Sequence, residues 1–287
     1  MKKNIAIVST EKHLLIREII DFLSQKSIHV EVIPLSDASF LLSENGVRSS
    51  LESYDLVYLD RGMEDWQHFE SQFLALDSCE NLREKIVNKP ISYLKAHDKI
   101  TSSILMRSAG LPMVTTHICY SIESALKFAL LHGAVISKPP MGFNGDGIIV
   151  FKGENPPIDR LSKQLLENGS LYLQKFLHSK QPRDLRIQMI DGEVAAYFER
   201  HLNSNVEFPI CNIDQGARPE FVAPDKNAVL LAKKAMQVLD LQIGGVDLLF
   251  GPNDELVVSE VNPESTTASW MPQFGFKLSE YLAKRIE

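Results

Sequence analysis

Residues 244–262 contain two apolar runs, Gly244-Gly-Val-Asp-Leu-Leu-Phe250 and Val257-Val-Ser-Glu-Val-Asn262, separated by a Gly-Pro-Asn-Asp turn. Branched and aromatic side chains dominate both runs, so the pattern predicts a β-hairpin of two buried strands. Oxygen-bearing side chains interrupt the runs at Asp247, Glu260 and Asn262. Glu260 and Asn262 lie two positions apart and therefore project from one face of their strand.

These oxygen-bearing side chains are candidates for a metal site. If Asp247 faces Glu260 and Asn262 across the hairpin, three hard oxygen ligands converge at one point. Proteins hold Mg²⁺ beside nucleotide phosphates with a few carboxylates and with substrate oxygens, rather than with a full protein cage. The alternative is a solvated hairpin face with ordinary polar residues. A second motif in the chain favours the metal site.

The second motif is a glycine-rich loop after a predicted strand, Lys138-Pro-Pro-Met-Gly142-Phe-Asn-Gly145-Asp-Gly147. Its glycines allow positive φ and a close approach of backbone N–H groups to a ligand, and successive N–H groups in such a turn form an anion-binding nest. Lys138 adds a positive charge beside bound phosphates. This is not a Walker motif, because no Gly-Lys-Ser/Thr follows. A plain hairpin turn is the alternative, but a magnesium-type ligand set later in the chain favours phosphate binding.

Three further cationic residues are candidates for binding phosphate or carboxylate groups. Lys99 lies near the start of a predicted helix, where a solvated surface charge is the alternative. Arg186 and Arg200 lie within strand patterns, where burial without a partner would be costly. An arginine in a sheet that opens on a cleft is suited to fork onto phosphate or carboxylate oxygens. A structural ion pair, for example with Asp184 or Glu199, is the alternative. The histidines show no metal-binding spacing and are assigned no role.

Composition restricts the class of protein. The 287 residues are 44% hydrophobic and carry a net charge of −7, with a pI near 5.7. These values indicate a soluble globular protein of two or three domains and argue against nonspecific nucleic-acid binding. Cys79, Cys119 and Cys211 match neither a disulfide framework nor a metal spacing, so we expect reduced thiols in a cytoplasmic protein. The short apolar run near the start does not fit a signal peptide, and no segment approaches the roughly 20 apolar residues that cross a bilayer.

The first part of the chain alternates between strand and helix patterns. Short strands are predicted at Ile5–Val8, Val30–Ile33 and Leu56–Leu59. With a helix predicted over 14–23, this alternation predicts an open parallel sheet with covering helices, a Rossmann-like architecture. The segment Ser9-Thr-Glu-Lys12 lacks the glycines of a dinucleotide-binding turn. Ser36–Ser53 is predicted as a surface loop.

The remainder is predicted to form two α+β units. The second unit begins near Asn88, and helices are predicted over 98–109 and 121–132. An amphipathic helix over 224–239 precedes the final hairpin, and a last helix closes the chain. Strands are predicted at Thr115–Cys119, Ala134–Lys138, Ile148–Phe151, Leu171–Gln174, Leu185–Ile190 and Val194–Arg200.

Motifs in a fixed order extend through the chain. They are Leu59-Asp-Arg61-Gly62, Asn88, Ala96-His-Asp-Lys99-Ile100, Ala109-Gly-Leu-Pro-Met-Val-Thr115, Lys138-Pro139 with the glycine loop, Gln174-Lys-Phe-Leu177, Asp184-Leu-Arg186, Glu199-Arg200, Asn212, Gly216, Asp247 and Glu260-Val-Asn262. Their order and spacing resemble the ATP-grasp superfamily, and within it the RimK-like branch of amino-acid ligases. The resemblance implies an α/β and α+β protein with an N-terminal Rossmann-like pre-ATP-grasp domain over 1–88. A central ATP-grasp subdomain with a glycine-rich lid loop would span 89–170, and a C-terminal subdomain with the magnesium site would span 171–287. The two α+β subdomains would enclose the nucleotide.

The resemblance also implies a role for each candidate residue. Arg61 would reach a substrate carboxylate, and the backbone of Gln174–Leu177 would bind the adenine edge, while Lys99 and Lys138 would contact the ATP phosphates. The nucleotide-binding set comprises Lys99, Lys138, Gly142, Gly145, Gly147, Gln174, Lys175, Phe176, Leu177 and Asp184. The residues that line the phosphoryl-transfer and acyl site are Arg186, Arg200 and Asn212. Two Mg²⁺ ions, for which Mn²⁺ is an alternative, would be bound by Asp247, Glu260 and Asn262.

The implied activity is that of an ATP-dependent carboxylate–amine ligase, which forms an amide or peptide bond through an acylphosphate and releases ADP and phosphate. The substrates would be a small-molecule or peptide acid and an amino acid such as glutamate. The alternatives are an ATP-grasp kinase that phosphorylates a hydroxyl and a nucleotide-binding regulator without turnover. A homo-oligomer (dimer or tetramer) is expected, without nucleic-acid or membrane partners.

Two departures from the RimK-like pattern concern the substrates. Many relatives place a Pro-Gly turn after the Glu-x-Asn ligands, where this chain has Pro263-Glu264. They often carry a second arginine after the catalytic one, where this chain has His201. Both departures preserve the nucleotide site and leave the identity of the substrates open.

Overall fold

The computed structural model describes residues 3–10, 12–60, 69–142, 146–177, 182–202, 208, 210–211, 213, 216–264 and 271–287. Within these ranges the chain forms three main β-sheets, with helices packed against them, and a small two-stranded hairpin. This mixed α/β architecture agrees with the predicted fold class. No helix in these ranges combines the length and the apolar character needed to cross a membrane.

The first sheet is parallel, as predicted, with the strand order β2-β1-β5-β6. Its strands are β1 (Asn4–Val8), β2 (His29–Ile33), β5 (Leu56–Leu59) and β6 (Ile86–Val87). One face of the sheet packs against α1 (Leu14–Gln25) and α8 (Pro272–Lys284). The opposite face packs against α2 (Phe69–Ser78). Because both faces are covered, the central strands β1 and β5 are nearly continuous apolar runs, whereas the edge strand β2 has exposed polar residues at His29 and Glu31.

The segment Ser36–Ser53, predicted as a surface loop, contains regular structure. It forms an antiparallel hairpin of β3 (Phe40–Ser43) and β4 (Gly46–Ser49), followed by a short 3₁₀ turn. The prediction failed because this hairpin has little burial to produce a strand pattern: Leu41 and Leu42 are exposed. The sequence signal for this hairpin is the dipeptide Asn45-Gly46 in its turn. Gly46 has a φ of 100°, and Asn-Gly is the dipeptide most typical of a tight β-turn.

The second sheet is antiparallel, with the order β7-β10-β8-β9. Its strands are β7 (Thr116–Cys119), β8 (Ala134–Lys138), β9 (Ile149–Lys152) and β10 (Leu171–Lys175). The helices α5 (Ile122–His132) and α6 (Ile158–Asn168) pack on it. β10 pairs with β7 and β8, so this sheet extends past residue 170. The limits of the three predicted units stay a prediction.

The third sheet, also antiparallel, has the order β13-β12-β11-β14-β15. Its strands are β11 (Arg183–Ile190), β12 (Glu193–His201), β13 (Arg218–Phe221), β14 (Ile243–Phe250) and β15 (Leu256–Asn262). Alternate β11 residues, Leu185 and Ile187 among them, pack under α4 (Lys99–Ser108) and α7 (Lys226–Leu239). Since side chains alternate along a strand, the intervening polar residues lie on the opposite face. That face carries the candidate site.

Several observed elements have no predicted counterpart. They are α2, α6, β6, β13 and α3 (Pro90–His97). β13 is an edge strand with Pro219 inside it, a position where the missing N–H of proline is tolerated but the strand pattern is weakened. The helices and strands that were predicted agree closely with the observed ones.

Asn88 joins the first sheet to the third. Its side chain is fully buried, and its Nδ2 donates to the backbone oxygens of Ile243 (2.8 Å) and Pro263 (3.1 Å). Its Oδ1 accepts from the backbone N–H groups of Gln242 (2.9 Å) and Ile243 (2.8 Å). This amide therefore satisfies buried backbone groups at the start of β14 and directly after the end of β15.

Candidate active site

The hairpin β14–β15 brings the predicted oxygen-bearing side chains together. Asp247 is paired with Glu260 across the hairpin, and Gly245 is paired with Asn262. The next pair is Leu248 with Val258, which leaves Ser259 as the extra residue of a β-bulge. Asp247 therefore lies opposite Glu260, which meets the condition for these oxygen donors to converge.

Asp247 also binds two arginines from neighbouring strands. Arg186 contacts both carboxylate oxygens, through Nε to Oδ1 and through Nη2 to Oδ2 at 2.8 Å. Arg200 Nη2 lies 3.1 Å from Oδ1, and Asn262 Nδ2 donates to Oδ2 at 3.3 Å. Both oxygens are therefore occupied, and Asp247 in this structure orients the arginines. To ligate a metal as predicted, it would exchange one of these contacts for the ion.

Arg200 bridges two buried carboxylates. Its Nε and Nη2 donate to the two oxygens of Asp184, each at 2.7 Å. Burial alone would lower the pKa of Arg200, but Asp247 and Asp184 raise it above the ordinary value. The ion pair with Asp184, foreseen as an alternative to ligand binding, therefore exists and holds the guanidinium at the site.

Glu260 is the carboxylate that remains available for a ligand. Burial alone would raise its pKa, but the charges of Lys99, Lys138, Arg186 and Arg200 lower it to about 2. The side chain is half-buried. Among the described residues, none donates a hydrogen bond or forms an ion pair with this carboxylate at contact distance. An ionised oxygen donor is thus held at a cleft between positive charges.

Two glycines in β14 make this packing possible. A Cβ at Gly245 would lie 2.6 Å from Arg186 Nη1 and 2.9 Å from Gln188 Oε1. A Cβ at Gly244 would lie 2.9 Å from the backbone oxygen of Asn262. The Gly-Gly pair before Asp247 therefore provides the space for the arginine and for the strand that carries the oxygen donors.

Of the predicted phosphate-binding lysines, Lys99 lines a cleft together with Glu260, and Lys138 is close enough for the charge of Glu260 to act on it. Lys99 Nζ donates to the backbone oxygen of Gly142 at 2.7 Å, and its backbone N–H donates to Pro140 at 2.9 Å. Lys99 thereby ties the start of α4 to the glycine-rich loop. Burial lowers the pKa of Lys138, against the opposing charge of Glu260. Gly147 has a φ of 72° and approaches Pro139 so closely that a Cβ would lie 2.8 Å from its Cγ, as expected for a tight loop.

Lys99 and Glu260 border one cleft. It is lined by Ala96, His97, Lys99, Gly142, Glu260, Val261, Asn262, Pro263 and Glu264. The glycine-rich loop and the metal-type hairpin, which are distant in sequence, therefore form two sides of one cleft. This juxtaposition is the one expected from the resemblance.

The segment Gln174–Leu177, predicted to bind the adenine edge, continues from β10. The backbone N–H of Lys175 donates to Thr115 and that of Phe176 donates to Ala134, both at 2.9 Å. These two N–H groups already donate to backbone oxygens within the fold. An adenine base would therefore bind through other polar groups of the segment. The Gln174 side chain is buried and donates to the Tyr172 hydroxyl at 2.8 Å, which gives it a structural contact.

Three predicted site residues lie outside the described part of the chain: Arg61, Gly145 and Asn212. Most of the sequence that follows Pro263-Glu264, residues 265–270, also lies outside it.

The structure adds residues that were assigned no role from the sequence. Tyr93 is fully buried, and its hydroxyl lies 3.1 Å from Glu264 Oε1 and 3.1 Å from the backbone oxygen of Asp60. His97 Nδ1 lies 3.7 Å from Glu264 Oε1. The sequence signal for a role of His97 was its position two residues before Lys99. Metal-type histidine spacing, the only histidine pattern considered, does not include it.

The donor set fits Mg²⁺ and a nucleotide. The ligands offered are carboxylate and amide oxygens, which Mg²⁺ prefers over nitrogen or sulfur. Within the described ranges, no group of three or more His, Cys, Asp or Glu residues could hold a metal by itself. An ion shared with phosphate oxygens takes only part of its coordination from the protein. The adjacent Lys99 and Lys138 complement the negative charge of those phosphates.

The sequence is similar to those of several proteins named as ligases. The model of the RimK-like ATP-grasp domain matches residues 96–286. A tetrahydromethanopterin:alpha-L-glutamate ligase of Methanocaldococcus jannaschii is 30% identical over 191 residues, 65% of this chain and 63% of that relative. The alpha-aminoadipate–LysW ligase LysX of Sulfurisphaera tokodaii is 27% identical over 212 residues, 72% of this chain and 73% of that protein. The match thus spans less than two thirds of the methanogen relative.

The structure is similar to solved ligases along its whole length. The ATP-grasp ligase PsnB, complexed with a minimal precursor, superposes with a TM-score of 0.74 at 18% identity, covering 99% of this chain and 100% of that one. D-alanyl-alanine synthetase A of Vibrio cholerae superposes with a TM-score of 0.70 at 14% identity, covering 100% and 98% of the two chains. These likenesses confirm the predicted fold.

Proposed function

Because the chain belongs to the RimK-like ATP-grasp family, we propose that it is an ATP-dependent carboxylate–amine ligase. It would join the carboxyl group of a small-molecule or peptide acid to the amino group of an amino acid such as glutamate, and release ADP and phosphate. The names of similar proteins support this proposal, since they include glutamate ligases and a ligase for alpha-aminoadipate.

One observation carries the proposal. Glu260 is an ionised carboxylate at the cleft, surrounded by Lys99, Lys138, Arg186 and Arg200. Asp247 and Asp184 offset the two arginines, so Lys99 and Lys138 are the cations that face Glu260. Two lysines beside an ionised oxygen donor suit a ligand that carries phosphates together with a metal ion, such as a nucleotide triphosphate with Mg²⁺.

The residues divide the proposed chemistry between them. Lys99, Lys138 and the glycine loop bind the phosphates, because transfer of the γ-phosphoryl group requires charge neutralisation and alignment more than covalent help. Arg186 and Arg200 stabilise the charge of the transferring group and orient the acid. Mg²⁺, held by Glu260 and Asn262 and by a released Asp247, would supply further charge neutralisation when bound. Asn212 would line the same site, and Gln174–Leu177 with Asp184 would complete the nucleotide side.

The reaction needs no nucleophilic side chain of the protein. An amine does not displace oxide from a carboxylate, but phosphorylation of the acid by ATP creates a good leaving group. The amine nitrogen then bonds to the acyl carbon, the carbon–oxygen bond to phosphate breaks, and the amine loses a proton. Because water would hydrolyse the acylphosphate, we infer that the glycine loop closes over the site as a lid.

Further properties belong to the same proposal. The site would bind two Mg²⁺ ions, with Mn²⁺ as an alternative. Arg61 would reach a substrate carboxylate. A cytoplasmic location is supported by the free cysteines, of which Cys79 and Cys119 are buried. A homo-oligomer is also proposed.

Hydroxylamine trapping tests the reaction class. With ATP, Mg²⁺ and a panel of acids, the protein should form a hydroxamate from its true acid, because hydroxylamine is a small nucleophile that captures an acylphosphate. ADP and phosphate should appear together, without AMP, and a natural amine should replace hydroxylamine with an amide as product. Mass spectrometry identifies the products. A stable phosphorylated alcohol would instead establish the kinase, and ATP binding without ADP across the panel would establish a regulator.

Lys138→Ala should weaken ATP binding by about ten- to hundredfold, because it removes one charged contact to the phosphates. Isothermal titration calorimetry measures the affinity. Lys127→Ala is the matched control, since Lys127 is exposed and forms a surface pair with Glu123. Equal affinities for the two variants would place the phosphate-binding lysine elsewhere.

A further inference from the structure

One buried amide connects the glycine-rich loop to the sheet from which the loop extends. Gln164 lies on α6 and is only 5% exposed. Its Nε2 donates to the backbone oxygen of Gly147 at 2.9 Å, and its Oε1 accepts from the hydroxyl of Ser137. A polar side chain is unfavourable in a buried position unless its hydrogen bonds are made. The contacts to the loop and to β8 therefore explain how a glutamine is tolerated at this place.

The same two contacts fix the orientation of the amide. A backbone oxygen can only accept a hydrogen bond, so the group of Gln164 that faces Gly147 must be its NH₂. The amide oxygen then faces Ser137, whose hydroxyl supplies the proton. A reversed amide would bring two acceptors together at Gly147. Ser137 therefore orients the amide, and the amide in turn holds the backbone of Gly147.

Gln164 acts from the face of the second sheet that is opposite the phosphate-binding lysine. Ser137 and Lys138 are consecutive in β8, so their side chains project from opposite faces. Ser137 is fully buried on the same face as Val135, which belongs to the core under α5 and α6. Lys138 lies on the other face, where the charge of Glu260 acts on it. Gln164 can therefore hold the loop without taking space from a ligand.

Gly147 lies at the base of the glycine-rich loop. It has a φ of 72°, and a Cβ at this position would lie 2.8 Å from Pro139 Cγ, so the two ends of the loop are in close contact. Nearer the first end, Lys99 Nζ donates to the backbone oxygen of Gly142 at 2.7 Å. Lys99 is also proposed to contact the phosphates, whereas Gln164 holds its end of the loop from outside the cleft.

We propose that Gln164 is a positioning residue for the nucleotide, which holds the C-terminal end of the glycine-rich loop in the arrangement that binds the phosphates. This inference rests on the proposed ligase function, in which that loop binds ATP. A loop that occupies its binding arrangement for only a fraction of the time binds with an affinity reduced by that fraction. Loss of the amide donor therefore weakens ATP binding, although Gln164 acts through Gly147 rather than on the nucleotide.

Gln164→Met tests the inference, because methionine has a similar length and cannot donate a hydrogen bond. Isothermal titration calorimetry with ATP and Mg²⁺ should show a rise in Kd of about tenfold, since a backbone acceptor of the loop loses its donor. The KM for ATP should rise by about the same factor, while the KM for the acid changes by less than about twofold. Ser137→Ala keeps the donor to Gly147 and should raise the Kd by less than about threefold.

The matched control is Leu161→Val, which disturbs the packing of the same helix at a fully buried side chain. Its Kd for ATP should stay within about twofold of the wild-type value. An equal rise in Leu161→Val and Gln164→Met would mean that any loss of packing under α6 weakens nucleotide binding, and this overturns the positioning role. Equal rises in the KM for ATP and for the acid overturn it as well.

The remaining outcomes separate this inference from the proposed function. Without hydroxamate in the wild-type protein, the ligase proposal fails, whereas the calorimetric comparison needs no turnover and still tests Gln164. An unchanged ATP affinity in Gln164→Met rejects the role of Gln164 and leaves the ligase proposal in place. If Gln164→Met does not fold, Gln164→Asn decides, because its amide is one methylene shorter and is withdrawn from Gly147. Wild-type affinity in that variant rejects the inference.

Discussion

Replacement of Glu260 by glutamine should reduce ADP formation by about a hundred- to thousandfold. The side chain keeps its size but loses the charge that would bind Mg²⁺ beside the phosphates, which contributes several kcal/mol to stabilising the transition state. Glu260 makes no direct hydrogen bond or ion pair with the described residues, so the fold should persist. Circular dichroism tests the fold, and a coupled assay at saturating Mg²⁺ tests the turnover.

The matched control for this variant is Glu167→Gln. Glu167 lies on the exposed side of α6, with 60% of its side chain exposed and only a distant pair with Lys163 at 3.7 Å. It should retain wild-type turnover. Wild-type ADP formation in Glu260→Gln would refute the assignment of Glu260 as the metal ligand, and proportional loss in both variants would point to a general effect of charge removal.

Arg200→Leu should lower the free energy of unfolding by about 3–5 kcal/mol, the usual consequence of removing one partner of a buried ion pair. Arg200 binds Asp184 through two contacts of 2.7 Å and lies 3.1 Å from Asp247. Without the guanidinium, buried Asp184 loses both of these contacts, while Asp247 keeps Arg186, so one buried carboxylate is left without its counter-charge. Urea denaturation followed by tryptophan fluorescence measures the change, and ADP formation should be lost as well.

The corresponding surface variant is Arg48→Leu. Arg48 forms its ion pair with Glu52 while 58% of its own side chain is exposed, so the expected loss is about 0–1 kcal/mol. Similar losses in the two arginine variants would mean that the Arg200 pairs contribute no more than a solvated contact.

Much of the hairpin site could be predicted because it depends on local periodicity. The two-residue spacing of Glu260 and Asn262 fixes a shared face. The same reasoning located Lys138 before its glycine loop. These features require only strand geometry and turn chemistry, which operate between neighbours in sequence. The β-bulge at Ser259, which no local pattern predicts, then places Glu260 opposite Asp247.

Other parts of the site depend on contacts between distant elements. The carboxylate of Asp247 accepts from arginines on two other strands, and no sequence pattern states which acid an arginine will choose. The meeting of Tyr93 with Glu264 joins α3 to the segment after β15, which only the packed structure reveals. The β3–β4 hairpin was not predicted because its strands are exposed. Their sequences therefore lack the alternation of apolar and polar residues that indicates a half-buried strand.

The four hydrogen bonds of Asn88 have a consequence for protein engineering. The family-matched segment starts at residue 96, after Asn88, yet Asn88 satisfies the backbone of Gln242, Ile243 and Pro263. A fragment cut at that limit would leave these groups unpaired beside the hairpin and would uncover the face of α8 that packs on α1. In chimeras that exchange substrate preferences between relatives, the first sheet and α8 should therefore come from the same parent. The recombination points should lie outside both.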